Sequence, residues 1–542
     1  MTITKRIFLF LSMLFASYSY AQTISMDQPP MEDALRRLQL MGKIEGDISF
    51  MLRPIQSTRL HSWDSVLQSI DPSVKAMGNQ KIDKHFLGKW GYASILPVQL
   101  TQQYVTAQPY QELDGAMIAS SGYQLMATAG VYAKIGPLTI QLQPQFVSAA
   151  NVDFRGTTQT PNYNKTFWGN SSIRLNAGPV SIGISSENIT WGPSLMNPLI
   201  MSAHAPGFMH LTFNSRKPWR TPIGSFEWQW FATYLDAIEP KYNGIADYAN
   251  GDPTKRRYFN GAMFSYQPKW IKGLSVGVTR VVQEPESLYT LDKQWNLLFN
   301  NVARINDASF LVEIQRDQYA AAFLRWVWQP AHAEFYTEWG RNDTYYTMRD
   351  FIQQPEHSRA YTYGFRKLFG TELESNQNNS ILKTPKKYWQ FISEYTRTQQ
   401  PSTWPVRSAG SWYVRGDMPG YTQMGQIMGA PIGSGGNYQM MRISKFNGWK
   451  QIGLQLESTT HNAENFEDTG LAFTNPSLTK WVDYGCRILF DYPYKKYLFS
   501  TTLAATRSFN YHWSQPANAS GLGLGNPNDL DSYLLKFTIR YL

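Results

Sequence analysis

The chain has 542 residues, with 50 Lys and Arg against 40 Asp and Glu for a formal charge of +10, and 15% of it is aromatic. Its mean hydropathy of −0.39 is too polar for a helical membrane protein, and beyond residue 21 no run reaches the roughly 18 apolar residues of a spanning helix. The single cysteine, Cys486, excludes a disulfide framework and a cysteine metal cluster; without a basic run or recognition motif, the surplus charge points to an anionic ligand or lipopolysaccharide head groups rather than nucleic acid.

At the N-terminus Lys5 and Arg6 precede the apolar run Ile7–Phe15, and Ser19-Tyr20-Ala21 supplies small residues for cleavage. Residues 1–21 therefore read as a secretory signal peptide, with Gln22 the first mature residue and no cysteine there for a lipid anchor. Residues 22–87 differ from the rest. Pro29-Pro30 followed by Glu32 and Asp33 predicts a helix start, and Ala34, Leu35, Leu38 and Met41 share one face before Gly42. Trp63, Val66, Leu67 and Ile70 repeat the spacing between Ser62 and Pro72. This is a small helical unit of two or three helices, expected to pack on the periplasmic end of the larger C-terminal part.

From residue 88 to 542 the pattern is strand. Leu125, Ala127, Ala129, Val131 and Ala133 alternate with Gln124, Met126, Thr128, Gly130, Tyr132 and Lys134. Gly136-Pro137 turns the chain, and Leu138, Ile140, Leu142 and Phe146 then face away from Thr139, Gln141, Gln143 and Gln145. An apolar row backed by an unbroken polar row fits a barrel with lipid outside and water inside. Gly178-Pro179 repeats the hairpin between Ile173–Ala177 and Val180–Ile184. Further strands are predicted at Arg257–Gln267, Gly273–Val282, Ala320–Trp328, Ala333–Trp339, Tyr361–Leu368, Tyr388–Thr398, Gln451–Glu457, Trp481–Phe490 and Tyr497–Thr506. The last strand, Tyr533 to Leu542, resembles the terminal signal read by the barrel-insertion machinery. Roughly 455 residues at about 25 per strand and connection allow on the order of 18 strands. The expected fold is thus an all-β transmembrane antiparallel barrel in a Gram-negative outer membrane. Its longer extracellular loops are expected at Glu284–Asp307, Asp343–Glu356, Gly370–Lys386 and His461–Leu478.

Charge in the lipid-facing row costs about 2–4 kcal/mol at mid-bilayer for Arg or Lys, so Glu313, Arg325, Glu334, Glu338, Arg366, Glu394 and Arg397 are expected to point inward. They form either a mutually neutralised web or a track for a charged ligand. Cys486 lies in the row Val482, Tyr484, Ile488 and Phe490 and is expected to face lipid. Between Glu187 and Trp228 so many Pro and Gly break the alternation that a long ordered excursion into the lumen is expected. His204 and His210 lie within sequence reach of Ser194, Ser202 and Glu187, but no metal spacing or nucleophile motif accompanies them, and Gly433-Ser434-Gly435-Gly436 lacks a phosphate-loop ending. The expectation is a protein that is not an enzyme and needs no cofactor or metal.

Several elements of the excursion carry a resemblance: Trp191-Gly192-Pro193, Ala205-Pro206-Gly207-Phe208 and Ile223-Gly224-Ser225-Phe226-Glu227. Gly420-Tyr421-Thr422, Gly429-Ala430-Pro431-Ile432-Gly433 and Leu35-Arg36-Arg37-Leu38 to Gly42-Lys43-Ile44 extend it over most of the mature chain. These resemble the Wzi-type capsule assembly family. The resemblance implies an outer membrane barrel of about eighteen strands with a small periplasmic helical domain, acting as a lectin that holds capsular polysaccharide at the surface. A glycan site wants aromatic faces and polar or charged side chains; Trp191, His204, His210, Arg216, Trp219 and Arg220 supply them, or else brace the excursion. The alternative function is a diffusion porin or glycan-export conduit. Expected partners are surface polysaccharide, outer membrane lipids with lipopolysaccharide, and the insertion machinery.

Overall fold

The computed structural model describes residues 23–24, 29–44, 48–56, 84–86, 91–110, 112–152, 154, 162–235, 256–288, 317–342, 348–370, 387–401, 411–414, 420–463, 480–511 and 529–541. The signal peptide and the second expected helix lie outside these residues.

Eighteen antiparallel staves close into a barrel. They begin with β1 (Gly91–Tyr110), β2 (Ser120–Ile135), β3 (Leu138–Leu142 continued by Gln145–Ala149), β4 (Tyr163–Phe167 continued by Ser172–Ala177) and β5 (Val180–Ser185). Next come β6 (His210–Ser215 continued by Trp219–Thr221), β7 (Gly224–Leu235), β8 (Arg257–Pro268), β9 (Leu274–Pro285), β10 (Asp317–Trp328) and β11 (Ala333–Asn342). The wall is completed by β12 (Arg359–Phe369), β13 (Lys387–Arg397), β14 (Asn437–Asn447), β15 (Lys450–His461), β16 (Trp481–Tyr494), β17 (Tyr497–Phe509) and β18 (Leu530–Tyr541). Pairing of β18 with β1, from Leu534 opposite Val105 to Arg540 opposite Gln99, closes the ring and leaves no free sheet edge. Proline marks its irregularities. Pro97 lies where β1 slips register between Leu96 and Gln99, and Pro144 divides β3, because neither can donate to the ladder.

The two faces separate as the alternation predicts. Ile173, Leu175, Ile182 and Ile184 on β4 and β5 point outward at about half exposure, whereas Ser181 on β5 and Gln141, Gln143 and Gln145 along neighbouring β3 are buried inside. Cys486 faces outward beside Tyr484 and Ile488. Of the charges expected inside, Arg325, Glu334, Glu338, Arg366 and Glu394 are buried on the inner face; Glu313 lies outside the described residues. Arg397 is a correction. It follows the outward parity of Trp389 and Tyr395 at the last residue of β13, where the mid-bilayer penalty does not operate.

Short turns such as Gly136-Pro137, Gly178-Pro179, Gly448-Trp449 and Lys495-Lys496 share one end, the periplasmic end of an outer-membrane barrel. The connection from β12 to β13, expected outside the cell, leaves from this end too, because antiparallel alternation and not loop length fixes the side.

Helix α1 (Pro29–Leu40) opens with two prolines in its first turn and stops at Gly42, whose φ of +70° turns the chain while Lys43 N–H donates to Leu38 O at 2.8 Å. Ala34, Leu35 and Leu38 pack with Phe50, Trp449 and Leu498 at the short-turn end. Helix α1 packs at that end from inside the lumen rather than on the rim. Arg36 and Arg37 reach the inner wall of β11 and β13, through Glu334 at 3.8 Å and the Tyr388 hydroxyl at 2.9 Å. The helix can enter because its polar face finds ionic partners on the wall.

Candidate functional site: the plugged lumen

Besides α1 and the chain that follows it, three described segments fold into the barrel. The first leaves β5 at Ser185 and returns at His210. Its Trp191 N–H donates to Met201 O at 3.1 Å, tying the excursion to itself. Thr190 and Trp191 also pair with Arg53 and Leu52, joining the excursion to the chain after α1. The second comprises residues 411–414 and 420–435. The Tyr413 hydroxyl donates to Leu199 O at 2.7 Å, Tyr421 to Ile200 O at 2.9 Å and Ser202 to Gly429 O at 2.6 Å. Leu199, Ile200, Met201, Trp412, Tyr413 and Tyr421 are all buried in one apolar cluster with wall residues of β7 to β10. The third is the loop after β1, where Gly115 N–H donates to Ala203 O at 2.7 Å.

Two wall carboxylates grip the first segment. Glu394 on β13 accepts the backbone N–H of Leu195, Met196 and Asn197 at 2.8, 2.9 and 3.0 Å and the Tyr336 hydroxyl at 2.7 Å. Glu338 on β11 accepts the Ser194 and Leu199 N–H at 3.0 and 2.9 Å and the Ser194 hydroxyl at 2.5 Å. A turn of successive N–H groups closing on a carboxylate is a compact anion nest. Gly192 makes the approach workable: its φ is +88°, and a Cβ there would stand 2.4 Å from the Glu338 carboxylate. Below this, Arg53 donates to Gly192 O and Ser194 O at 2.6 and 3.2 Å, and Arg36 to Pro193 O at 3.0 Å. Ion pairs then run from Arg36 and Arg53 to Glu32, and from Arg366 to Asp33 and Glu334. The desolvation of such buried pairs offsets much of their Coulombic attraction.

Farther round the wall, at β16 and β18, Glu112 meets Lys536 at 2.8 Å and also Arg487, while Asp114 meets Lys536 at 2.6 Å. Burial would raise the Glu112 pKa, but the cations of Lys536 and Arg487 outweigh it and hold the carboxyl down at about 2.

The candidate glycan residues are dispersed. Trp191 and His210 come together around Phe231: the indole lies 5.4 Å from that ring and donates to Gln229 at 2.7 Å, while His210 stands edge-on at 5.9 Å. Both are buried. His204 sits across the plug with its Nδ1 3.2 Å from Glu112 O, and burial pushes it down to about 4. Arg216 is buried near the short-turn end, donating to Gly178 O at 3.2 Å. Trp219 and Arg220 are exposed on the short-turn rim. The set is therefore spread along the barrel and does not assemble as one surface. The serines that flank the histidines bond elsewhere: Ser194 to Glu338 and Ser202 to Gly429. Sequence patterning marks Glu338 and Glu394 as inward charges but misses the nests, since the N–H groups they collect lie more than a hundred residues away. Among the described residues no cluster of His, Cys, Asp and Glu could hold a metal.

An eighteen-strand wall, apolar outside and filled by its own chain inside, is the architecture of a plugged Gram-negative outer-membrane β-barrel. Among solved structures the chain is similar to Wzi of Escherichia coli, described as an outer membrane protein involved in group 1 capsule assembly and a carbohydrate-binding β-barrel, with 13% identity, 96% of this chain and 99% of that one covered, and a TM-score of 0.61. Pseudomonas aeruginosa OprD aligns at 10% identity over 86% of this chain and 97% of its own with a TM-score of 0.37, and Acinetobacter baumannii OccAB1 at 8% over 85% and 98% with 0.41. No family model and no curated protein sequence matches the chain.

Proposed function

We propose that this barrel binds surface polysaccharide at the outer face of the outer membrane and retains it there without chemistry, in support of capsule assembly. The observation that carries the reading is the gripped plug. A conduit needs a continuous aqueous path, whereas here Glu338 and Glu394 hold a chain segment across the lumen by backbone hydrogen bonds. Similarity of fold to a carbohydrate-binding barrel supports the same reading. A plugged barrel leaves the long-loop face as the place for a bulky glycan.

The test is titration of purified, detergent-folded protein with the host strain's own capsular polysaccharide beside a foreign one, with planar-bilayer conductance measured on the same preparation. Saturable binding to the host glycan and a silent bilayer are expected. Open conductance without binding would assign the barrel to transport instead. Loss of surface capsule on deleting the gene is the cellular counterpart, and capsule retention that survives deletion would count against the anchor.

A further inference from the structure

The exposed acids of the barrel are confined to one end, where they mix with the exposed cations Arg256, Arg349 and Lys480. Among the described residues the exposed acids Glu286, Glu356 and Asp531 all lie at the long-loop end. At the short-turn end the exposed charges among the described residues are cations. Lys217 and Arg220 flank the β6–β7 turn, Lys269 and Lys272 the β8–β9 turn, and Lys387 opens β13. Lys445 and Lys450 flank the β14–β15 turn, and Lys495 and Lys496 form the β16–β17 turn itself. Of the described acids at this end, Glu32, Asp33 and Glu334 are turned inward and occupied by Arg36, Arg53 and Arg366, and Asp491 is half-buried beside Ser500 and Arg540.

The cations stand on aromatic rings. Lys445 lies 5.4 Å from the Trp389 ring centroid, Lys450 4.6 Å from Tyr492, Lys495 5.2 Å from Tyr494 and Lys496 5.8 Å from Tyr541. Trp219 and Trp270 beside the other lysines are more than half exposed. Tryptophan and tyrosine rings of this kind mark the membrane interface, and a lysine stacked on them carries its ammonium to headgroup depth. Repeated on turn after turn, this places a one-sign band against the inner leaflet.

We propose that the short-turn rim is a collar that recruits anionic phospholipid, its lysines binding the phosphodiester headgroups of phosphatidylglycerol-type lipids in the inner leaflet. Each lysine near an anionic surface favours association by roughly fivefold, and the effect falls with ionic strength. The inference is independent of what the outer face binds.

The experiment uses the full-length folded protein in phosphatidylethanolamine vesicles carrying trace spin-labelled phosphatidylglycerol or, separately, phosphatidylcholine, and reads the motionally restricted fraction of each. Phosphatidylglycerol is expected to be enriched at least about fivefold at low salt and to approach parity near 1 M salt. The combined Lys445→Gln, Lys450→Gln, Lys495→Gln, Lys496→Gln variant is expected to lose most of that enrichment while retaining heat-modifiable gel mobility. A control with Arg256→Gln and Arg349→Gln at the long-loop end is expected to keep it. No preference in the wild type, a preference that survives the fourfold variant, or equal loss in the control would each overturn the proposal. Pelleting with peptidoglycan in place of any lipid preference would also refute it, by giving the collar a different anion.

Discussion

Replacing Glu394 with glutamine should release the plug while leaving the barrel intact. The two carboxylate oxygens share four donors: Met196 and Asn197 N–H on one, Leu195 N–H and the Tyr336 hydroxyl on the other. Glu394→Gln keeps the shape but turns one oxygen into an NH₂ that faces donors and accepts nothing. Two charge-assisted bonds are lost, each worth about 1.5–3 kcal/mol, so the held position weakens by about 3–6 kcal/mol. At about 1.4 kcal/mol per tenfold, the open population rises by about 10²- to 10⁴-fold. The wall hydrogen bonds are untouched, so the variant should fold and insert. In a planar bilayer the wild type should be quiet and Glu394→Gln should show discrete openings. A folded variant as silent as the wild type would refute the nest as the plug's latch, and a wild type that conducts freely would refute the plug itself.

Other consequences can be checked in the same preparation. The buried His204 ring, held at about 4 against an ordinary 6.5, is neutral in the folded plug. The unfolded chain takes up that proton between pH 6.5 and 4 and the folded one does not, so this ring's share of the stability should fall as pH drops through this window, by about 3 kcal/mol, and level off below it; urea midpoints should lose that share of the slope in His204→Gln, and an unchanged slope would sink the assignment. A nitroxide on Cys486, the chain's single cysteine, should be quenched by oxygen and protected from a water-soluble nickel chelate if that row faces lipid; the opposite ranking would reverse the faces of β16. A Cβ at Gly364 would stand 1.9 Å from the Tyr336 ring, so Gly364→Ala should misfold and Tyr336→Ala should rescue it, as read by heat-modifiable mobility; rescue failing would place the cost elsewhere.

The barrel is legible because its information is local. In β2 and β3 every second residue reports lipid or lumen, and the contrast between Leu125–Ala133 and Gln141–Gln145 survives without knowledge of any neighbour. β14 is hidden for the converse reason. Its inward row includes Met440, which packs against Leu195 and Met196 of the plug, while Met441 and Ile443 face lipid, so both rows are partly apolar and the alternation blurs. The position of α1 is illegible in another way. Arg36 and Arg37 look like a solvated helix face; their pairs with Glu32 and Asp33 one turn away are local, but the partners inside the barrel, Pro193 O, Glu334 and the Tyr388 hydroxyl, lie more than 150 residues later.

The candidate site shows the limit most sharply. An indole beside imidazoles and arginines in a Pro/Gly-rich stretch is what a sugar site requires, and it is equally what a buried excursion needs to satisfy its own backbone. Composition cannot separate the two; burial does. Trp191 commits its N–H to Gln229 and its face to Phe231, and His210 its Nδ1 to Phe208 O. A side chain so occupied offers a polysaccharide little. On the proposed function, recognition would then fall to the long-loop face, while the inward residues that sequence patterning singles out hold the plug. Two kinds of variant should therefore behave asymmetrically: Trp191→Ala should raise conductance before it weakens glycan binding, and grafting foreign sequence into the long loops should change glycan choice with conductance unaltered. Reversal of that order in paired binding and bilayer measurements would return the recognition site to the lumen.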